Sequence, residues 1–272
     1  MTLVLTPPLA AGEELAPGLE VIEHLARNLA LDVYDAWDRD RYCRVVVKAV
    51  RPDRAGVERV VARLRREGEL LARLAHPHIV RAYETREEPT PLVVLETLSG
   101  ETLDHLVHRR TRGLPAGELA ILGLQLCSAV RYLHRSGQLH LDLKPENVIV
   151  DQGFVKLLDL SLTRPPGLGP RGLGTPLYCA PEQARGGEFT TAADVWGVGA
   201  VLFEAATQQP PFGDGDEHEE THPQLTQRAP RVRPLRPRLP RAPAATIDGC
   251  LEPETRHRPT LDEVIAALEP LA

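Results

Sequence analysis

The chain of 272 residues predicts an α+β fold in two unequal parts, a small strand-rich lobe followed by a larger, mainly helical one. Two observations predict it. Before Ser99, β-branched residues gather in short runs of strand length; after Ser99-Gly100, longer apolar stretches keep a helical period. A hydrophobic content of 42% supports a sizeable core and excludes a disordered or fibrous chain.

The elements follow in order. Arg44-Val-Val-Val-Lys-Ala-Val50 and Pro91-Leu-Val-Val-Leu-Glu96 read as strands. Between them, Val57, Val60, Val61, Leu64, Leu70, Leu71 and Leu74 mark a helix, and at ~100° per residue Glu67 falls inside its apolar stripe. A carboxylate there requires a cation or hydrogen-bond donors. Leu119, Leu122, Leu126, Val130 and Leu133 mark a second helix ending near Ser136-Gly137. Strands at Asn147–Val150 and Phe154–Leu158 flank the turn Asp151-Gln-Gly153, and a helix from about Thr190 through Thr207 is stopped by Pro210-Pro211.

Composition narrows the function classes. With 32 basic and 38 acidic residues the net charge is −6, which argues against general binding to nucleic acid or anionic membrane. The longest uncharged apolar run, Val195 to Phe203, is far below the ~20 residues of a membrane span, and the N-terminus shows no basic leader. Cys43, Cys127, Cys179 and Cys250 are dispersed without metal-ligand spacing, so a reducing cytoplasm is expected. Only Lys48, Lys144 and Lys156 among the basic residues are lysine, and Asn28 and Asn147 are the two asparagines. In a chain so rich in Arg, these exceptions invite a functional reading.

The stretch His140-Leu-Asp-Leu-Lys-Pro-Glu-Asn147 places an acid, a lysine and an asparagine between a helix and a strand. It resembles the catalytic loop of eukaryotic-type (Hanks-type) serine/threonine protein kinases of bacterial appearance. The resemblance continues in family order through Val47-Lys48, Glu67, His76-Pro77-His78-Ile79-Val80, Asp159-Leu160-Ser161, Gly174-Thr-Pro-Leu-Tyr-Cys-Ala-Pro-Glu182, Asp194-Val-Trp196 and Arg258-Pro259, covering roughly residues 18 to 271. It implies a bilobal kinase-like fold with an N-terminal extension at 1–17, an antiparallel-sheet N-lobe at 18–98 and a helical C-lobe at 99–272. Phosphoryl transfer is mostly positioning and charge neutralisation. By resemblance, Lys48 contacts the ATP phosphates and Glu67 holds it there. Asp142 orients the attacking hydroxyl and Lys144 meets the transferred phosphate. Asn147 and Asp159 bind Mg2+. Ala26, Asn28, Val33, Glu96 and Leu98 fall on the remaining nucleotide-contacting positions. His140 braces the loop, and Glu182 with Arg258 resembles a structural ion pair.

The departures are as informative. Where the family carries a glycine-rich loop, this chain reads Ala26-Arg-Asn-Leu-Ala-Leu-Asp-Val33, with Asn28 the replacement that best tolerates positive φ and Asp32 adding negative charge near a triphosphate. Ser161 stands in the last position of the Asp-Phe-Gly motif, and Leu141 replaces the arginine that receives an activation-loop phosphate in many relatives. The segment from Arg164 to Gly174 contains no Ser, Thr or Tyr. Activity independent of phosphorylation of that segment is therefore expected, with Thr163 and Thr175 the nearest hydroxyls.

Two further matches carry less. Gly167-Leu-Gly-Pro-Arg-Gly172 fits a dinucleotide fingerprint but reads better as a flexible activation loop, and His218-Glu-Glu-Thr-His222 fits a zinc motif but reads as a solvated acidic segment. The Arg/Pro-rich segment 228–243 is either a solvated loop or an extended docking site for a partner. The expected function is transfer of the γ-phosphate of Mg-ATP to a protein Ser/Thr hydroxyl. The alternatives are a pseudokinase acting as scaffold or nucleotide-sensing regulator and, more remotely, a small-molecule kinase.

Overall fold

The computed structural model describes residues 6–213 and 222–272. The first four residues of the His218–His222 match lie outside the described residues. The chain divides into two compact units, 1–75 with 79–99, and 76–78 with 100–272.

The first unit is an antiparallel six-stranded sheet in the order β1-β2-β3-β4-β6-β5, built from β1 (Glu14–Ala16), β2 (Leu19–Arg27), β3 (Leu31–Asp38), β4 (Cys43–Val50), β5 (Ala82–Arg86) and β6 (Leu92–Glu96). Helix α1 (Glu58–Leu71) buries Val61, Leu64, Leu70 and Leu71 along the stripe its sequence specifies, and Glu67 with them. Because side chains alternate across a strand, the sheet has two distinct faces. Tyr34, Ala36, Val45, Val47, Leu92 and Val94 form a buried cluster on one face, on which Leu9 and Leu15 of the N-terminal segment pack. That segment is integral to the unit: the Leu9 amide donates to the Tyr34 hydroxyl at 3.2 Å, and β1 extends the sheet. Lys48 lies on the other face, opposite Val33 on β3 and Val93 on β6.

The second unit begins with β7 (Glu101–Thr102), α2 (Leu103–His108) and α3 (Ala116–Arg135). The hairpin of β8 (Val148–Asp151) and β9 (Phe154–Leu157) pairs with β7. Then come β10 (Gly167–Gly169), α4 (Pro181–Arg185), β11 (Gly187–Phe189), α5 (Thr191–Thr207), α6 (Val232–Leu235), α7 (Arg241–Cys250) and α8 (Leu261–Leu268). Helix α5 is the core element, buried from Ala193 to Ala206. A helix apolar on every side has to sit inside a unit. It ends at Gln208 in a left-handed conformation, before Pro210-Pro211, and Gln208 Nε2 donates to the carbonyls of Val107 and Arg110. Among the described residues no helix is long and apolar enough to cross a membrane.

Two sequence expectations change here. The glycine-rich stretch is not a loose loop: β10 pairs with β11, and a Cβ on Gly169 would lie 1.9 Å from the buried Phe189 ring, so the glycine permits that close approach. The Arg/Pro-rich segment is not extended throughout either. It contains α6 and the start of α7; Arg228 pairs with Glu252, and Arg236 reaches the carbonyls of Ala206 and Leu114. Arginine is spent there on structural acceptors as well as on solvent.

Candidate functional site

In the first unit, Lys48 Nζ donates to Glu67 Oε1 at 2.7 Å, with both side chains largely buried. The cation that Glu67 needs on its apolar stripe is thus supplied from β4. Register sets Ala26 opposite Val33, and Val33 opposite Lys48, so these three expected nucleotide positions share one stretch of sheet. Glu96 ends β6, its carboxylate accepting from the Arg81 amide at 2.9 Å, and Leu98 follows in the segment leading to β7.

The glycine-free turn between β2 and β3 closes in its own way. Asn28 is not in a positive-φ conformation. Its Oδ1 accepts from the amides of Ala30 at 2.8 Å and Leu31 at 2.7 Å, and its own amide donates to the Leu31 carbonyl at 3.0 Å. This local side-chain cap replaces glycine's freedom and engages the Ala30 and Leu31 amides. Asp32 differs from the sequence expectation too. It lies on the face opposite Lys48, 2% exposed, and is bound by Arg27 at 2.7 and 2.9 Å and by His24 at 2.9 Å. Burial alone would raise its carboxyl, but hydrogen bonds from Arg27 and His24 outweigh that and hold it below the ordinary value. Arg27 also donates to the Thr6 carbonyl at 2.8 Å, so the acid belongs to a neutralised structural cluster.

In the second unit the loop from His140 to Asn147 is held from beneath by Asp194. One carboxylate oxygen accepts from the His140 amide at 2.8 Å and contacts His134 Nε2 at 2.7 Å; the other accepts from the Leu141 amide at 2.8 Å. His140 is fully buried, its ring reaching the Leu158 carbonyl at 3.2 Å, while its Nδ1 accepts from the Asp142 amide at 3.2 Å. Asn147 Nδ2 donates to the Asp142 carbonyl at 2.9 Å and to Oδ2 at 3.3 Å. Thr175 donates to Oδ1 twice, from its hydroxyl at 2.8 Å and its amide at 3.0 Å. Asp142 and Asn147 are therefore brought together, with Thr175 on the far side.

Asp159 arrives by hairpin register. Val148 opposes Leu157, the Leu158 amide donates to the Asn147 carbonyl at 2.8 Å, and Asp159 follows, its Oδ1 accepting from the Ser161 amide at 3.1 Å. Asn147 and Asp159 thus share one end of β8–β9. Both offer hard oxygen donors, a set that suits Mg2+ better than a soft metal. Lys144 lies between Asp142 and Asn147, half-buried. Arg258 forks onto Glu182 at 2.7 and 2.8 Å and stacks over Trp196 at 5.0 Å.

The sequence reading named Thr175 only as a hydroxyl near the segment, and gave Asp194, Gln183 and Gln224 no role. Asp194 had a signal in Asp194-Val-Trp196, since an acid within an apolar helix requires donors. The two glutamines had none, because their partners are carbonyls distant in sequence. Gln224, 2% exposed, donates to the carbonyls of Pro176 at 2.7 Å and Cys179 at 2.8 Å.

A family model for the protein kinase domain matches residues 30–268, starting at the last turn residue before β3. A probable serine/threonine-protein kinase of Streptomyces coelicolor is 35% identical over 203 residues, 69% of this chain and 30% of that protein. Serine/threonine-protein kinase PknB of Mycobacterium tuberculosis is 34% identical over 216 residues, 74% of this chain and 32% of its own length. Serine/threonine-protein kinase PkaA of Streptomyces coelicolor is 34% identical over 239 residues, 84% of this chain and 43% of its own. The chain spans less than half the length of these relatives.

Proposed function

The chain belongs to the protein kinase domain family, and from that premise we propose that it transfers the γ-phosphoryl group of ATP to a Ser or Thr hydroxyl of a protein substrate. The observation that carries the proposal is the Asp142–Asn147–Thr175 constellation, a carboxylate fixed by directed hydrogen bonds beside a hard-oxygen pair. In the reaction Asp142 orients the attacking hydroxyl and accepts its proton, while Lys144 neutralises the transferred group. Lys48, fixed by Glu67, neutralises the phosphates that remain. Asn147, whose amide nitrogen donates to Asp142, would offer its oxygen, with the Asp159 carboxylate, to Mg2+. When bound, Mg2+ would screen the phosphate charge.

One observation favours the second reading, a pseudokinase acting as scaffold or nucleotide-sensing regulator. The amides of Ala30 and Leu31 are spent on Asn28, so the tip has fewer donors to offer a phosphate. Against it stands the retention of Lys48, Glu67, Asp142, Lys144, Asn147 and Asp159 together. Labelled Mg-ATP and a generic protein substrate, with Asp142→Ala in parallel, separate the readings. The enzyme reading expects transfer that falls by about 100-fold or more in the variant; equal background in both leaves the pseudokinase.

A further inference from the structure

Gln183, on α4, is 2% exposed, and its side-chain amide is fully engaged. Its Nε2 donates to the Leu141 carbonyl at 2.8 Å and to the Leu173 carbonyl at 3.0 Å, and its Oε1 accepts from the Ala180 amide at 3.0 Å. Its backbone carbonyl accepts from the Gly172 amide at 2.8 Å. The two tethered carbonyls have particular neighbours. Leu141 immediately precedes Asp142, and Leu173 precedes Gly174-Thr175, whose threonine holds Asp142 Oδ1. One amide thus grips both strands of backbone that bring Asp142 and Thr175 together.

The backbone is shaped to this grip. Leu141 has φ 67°, an uncommon conformation for a non-glycine residue, and its carbonyl meets the Gln183 amide. Gly174 has φ 106°, and a Cβ there would lie 2.9 Å from the Leu141 oxygen and 3.1 Å from Gln183 Nε2. The clamp contacts themselves, a side-chain amide on two backbone carbonyls, are neutral. Leu141 brings no charge, and residues 164–174 offer no hydroxyl. Of the two nearby threonines, Thr163 is 3% exposed and Thr175 is committed to Asp142.

We propose that Gln183 is a positioning residue, a neutral amide clamp that holds the activation segment against the catalytic loop and aligns Asp142 without a phosphate on that segment, Thr163 and Thr175 included. Its catalytic consequence rests on the kinase reading above, whereas the clamp does not. The test uses the whole chain, phosphatase-treated, with Gln183→Met, which keeps side-chain length and loses both donors, and Gln183→Glu, which keeps length and one acceptor role but sets a carboxylate against two carbonyls. Expected for both variants is about 10-fold faster amide hydrogen exchange at Thr175, with α5 amides unchanged. Expected with it is a kcat lower by about 100-fold at an ATP KM within about twofold of wild type. Unchanged exchange at Thr175, equal acceleration in α5, or a kcat that survives in a transferring enzyme overturns the clamp. Loss of wild-type activity on phosphatase treatment overturns its phosphate independence. If the wild type transfers nothing, the exchange at Thr175 still decides the clamp while the kinase reading alone fails.

Discussion

The β2–β3 hairpin and the His140–Asn147 loop answer the same demand, fixing a bent backbone beside polar groups, in opposite ways. The hairpin is fixed by its own short-range chemistry: Asn28 caps the tip, and Arg27 and His24 bind Asp32 within eight residues. The His140–Asn147 loop is fixed from far along the chain, by Asp194 from α5 and Gln183 from α4. The difference teaches where sequence drift is tolerated. A local turn can replace its glycines by a new local cap, whereas a loop gripped by distant buried partners must retain each of them or strand a buried group.

The largest effect is expected from breaking the distant grip. Asp194→Ala leaves the amides of His140 and Leu141 without their acceptor and should cost about 3–5 kcal/mol in a denaturant titration, abolishing transfer as well. Asp142→Asn sharpens the contrast: transfer should fall by about 100-fold with the denaturation midpoint close to wild type, because Asp142 serves chemistry more than stability.

The hairpin should respond through pH. The Asp32 carboxyl is held below its ordinary value, as is that of Asp38, where burial is outweighed by the amide and guanidinium of Arg41. A depressed folded-state value means that the stability these acids contribute is fully present above the unfolded carboxylate pKa of about 4 and is lost as pH falls through the lower folded values. Asp32→Asn should cost about 1–3 kcal/mol at neutral pH and flatten the acid limb of the stability profile. An acid limb unchanged in the variant would remove Asp32 from the account.

A smaller effect tests the tip itself. Asn28→Ala should lose about 1 kcal/mol of hairpin stability, by analogy with a lost helix cap, and leave the ATP KM within about threefold. A tenfold change would give the tip a direct part in holding nucleotide. The smallest effect contrasts the units by thiol chemistry. Burial pushes the Cys127 and Cys179 thiols up to about 12 and raises that of Cys250 as well, so in the native protein a thiol reagent should label the partly exposed Cys43 first.

The sequence showed most where a pattern is periodic or a residue type is costly. The stripe of α1 located Glu67 and required its cation, and the buried α5 was legible from its unbroken apolar run. Short strands such as β1, β7, β10 and β11 were not legible, because two or three residues carry no period and their pairing is decided by tertiary contacts. Asp32 was misread for lack of register: shifted by one residue, it would share the face of Lys48, and the alternation that sends it the other way appears only once β3 and β4 are aligned. Gln183 and Gln224 were invisible because neutral amides bonding to remote carbonyls leave no mark in composition or spacing.

The central claim is that the polar constellation of the second unit performs phosphoryl transfer although the hairpin tip has committed the Ala30 and Leu31 amides to Asn28. Initial rates of transfer from labelled Mg-ATP to a protein substrate, measured over a wide ATP range for wild type and Asp142→Asn, test it most directly. The account predicts Asp142-dependent transfer with an ATP KM near or above about 1 mM, the weak end of the usual range. No Asp142-dependent transfer at any ATP concentration, or saturation at a few micromolar ATP, would contradict it.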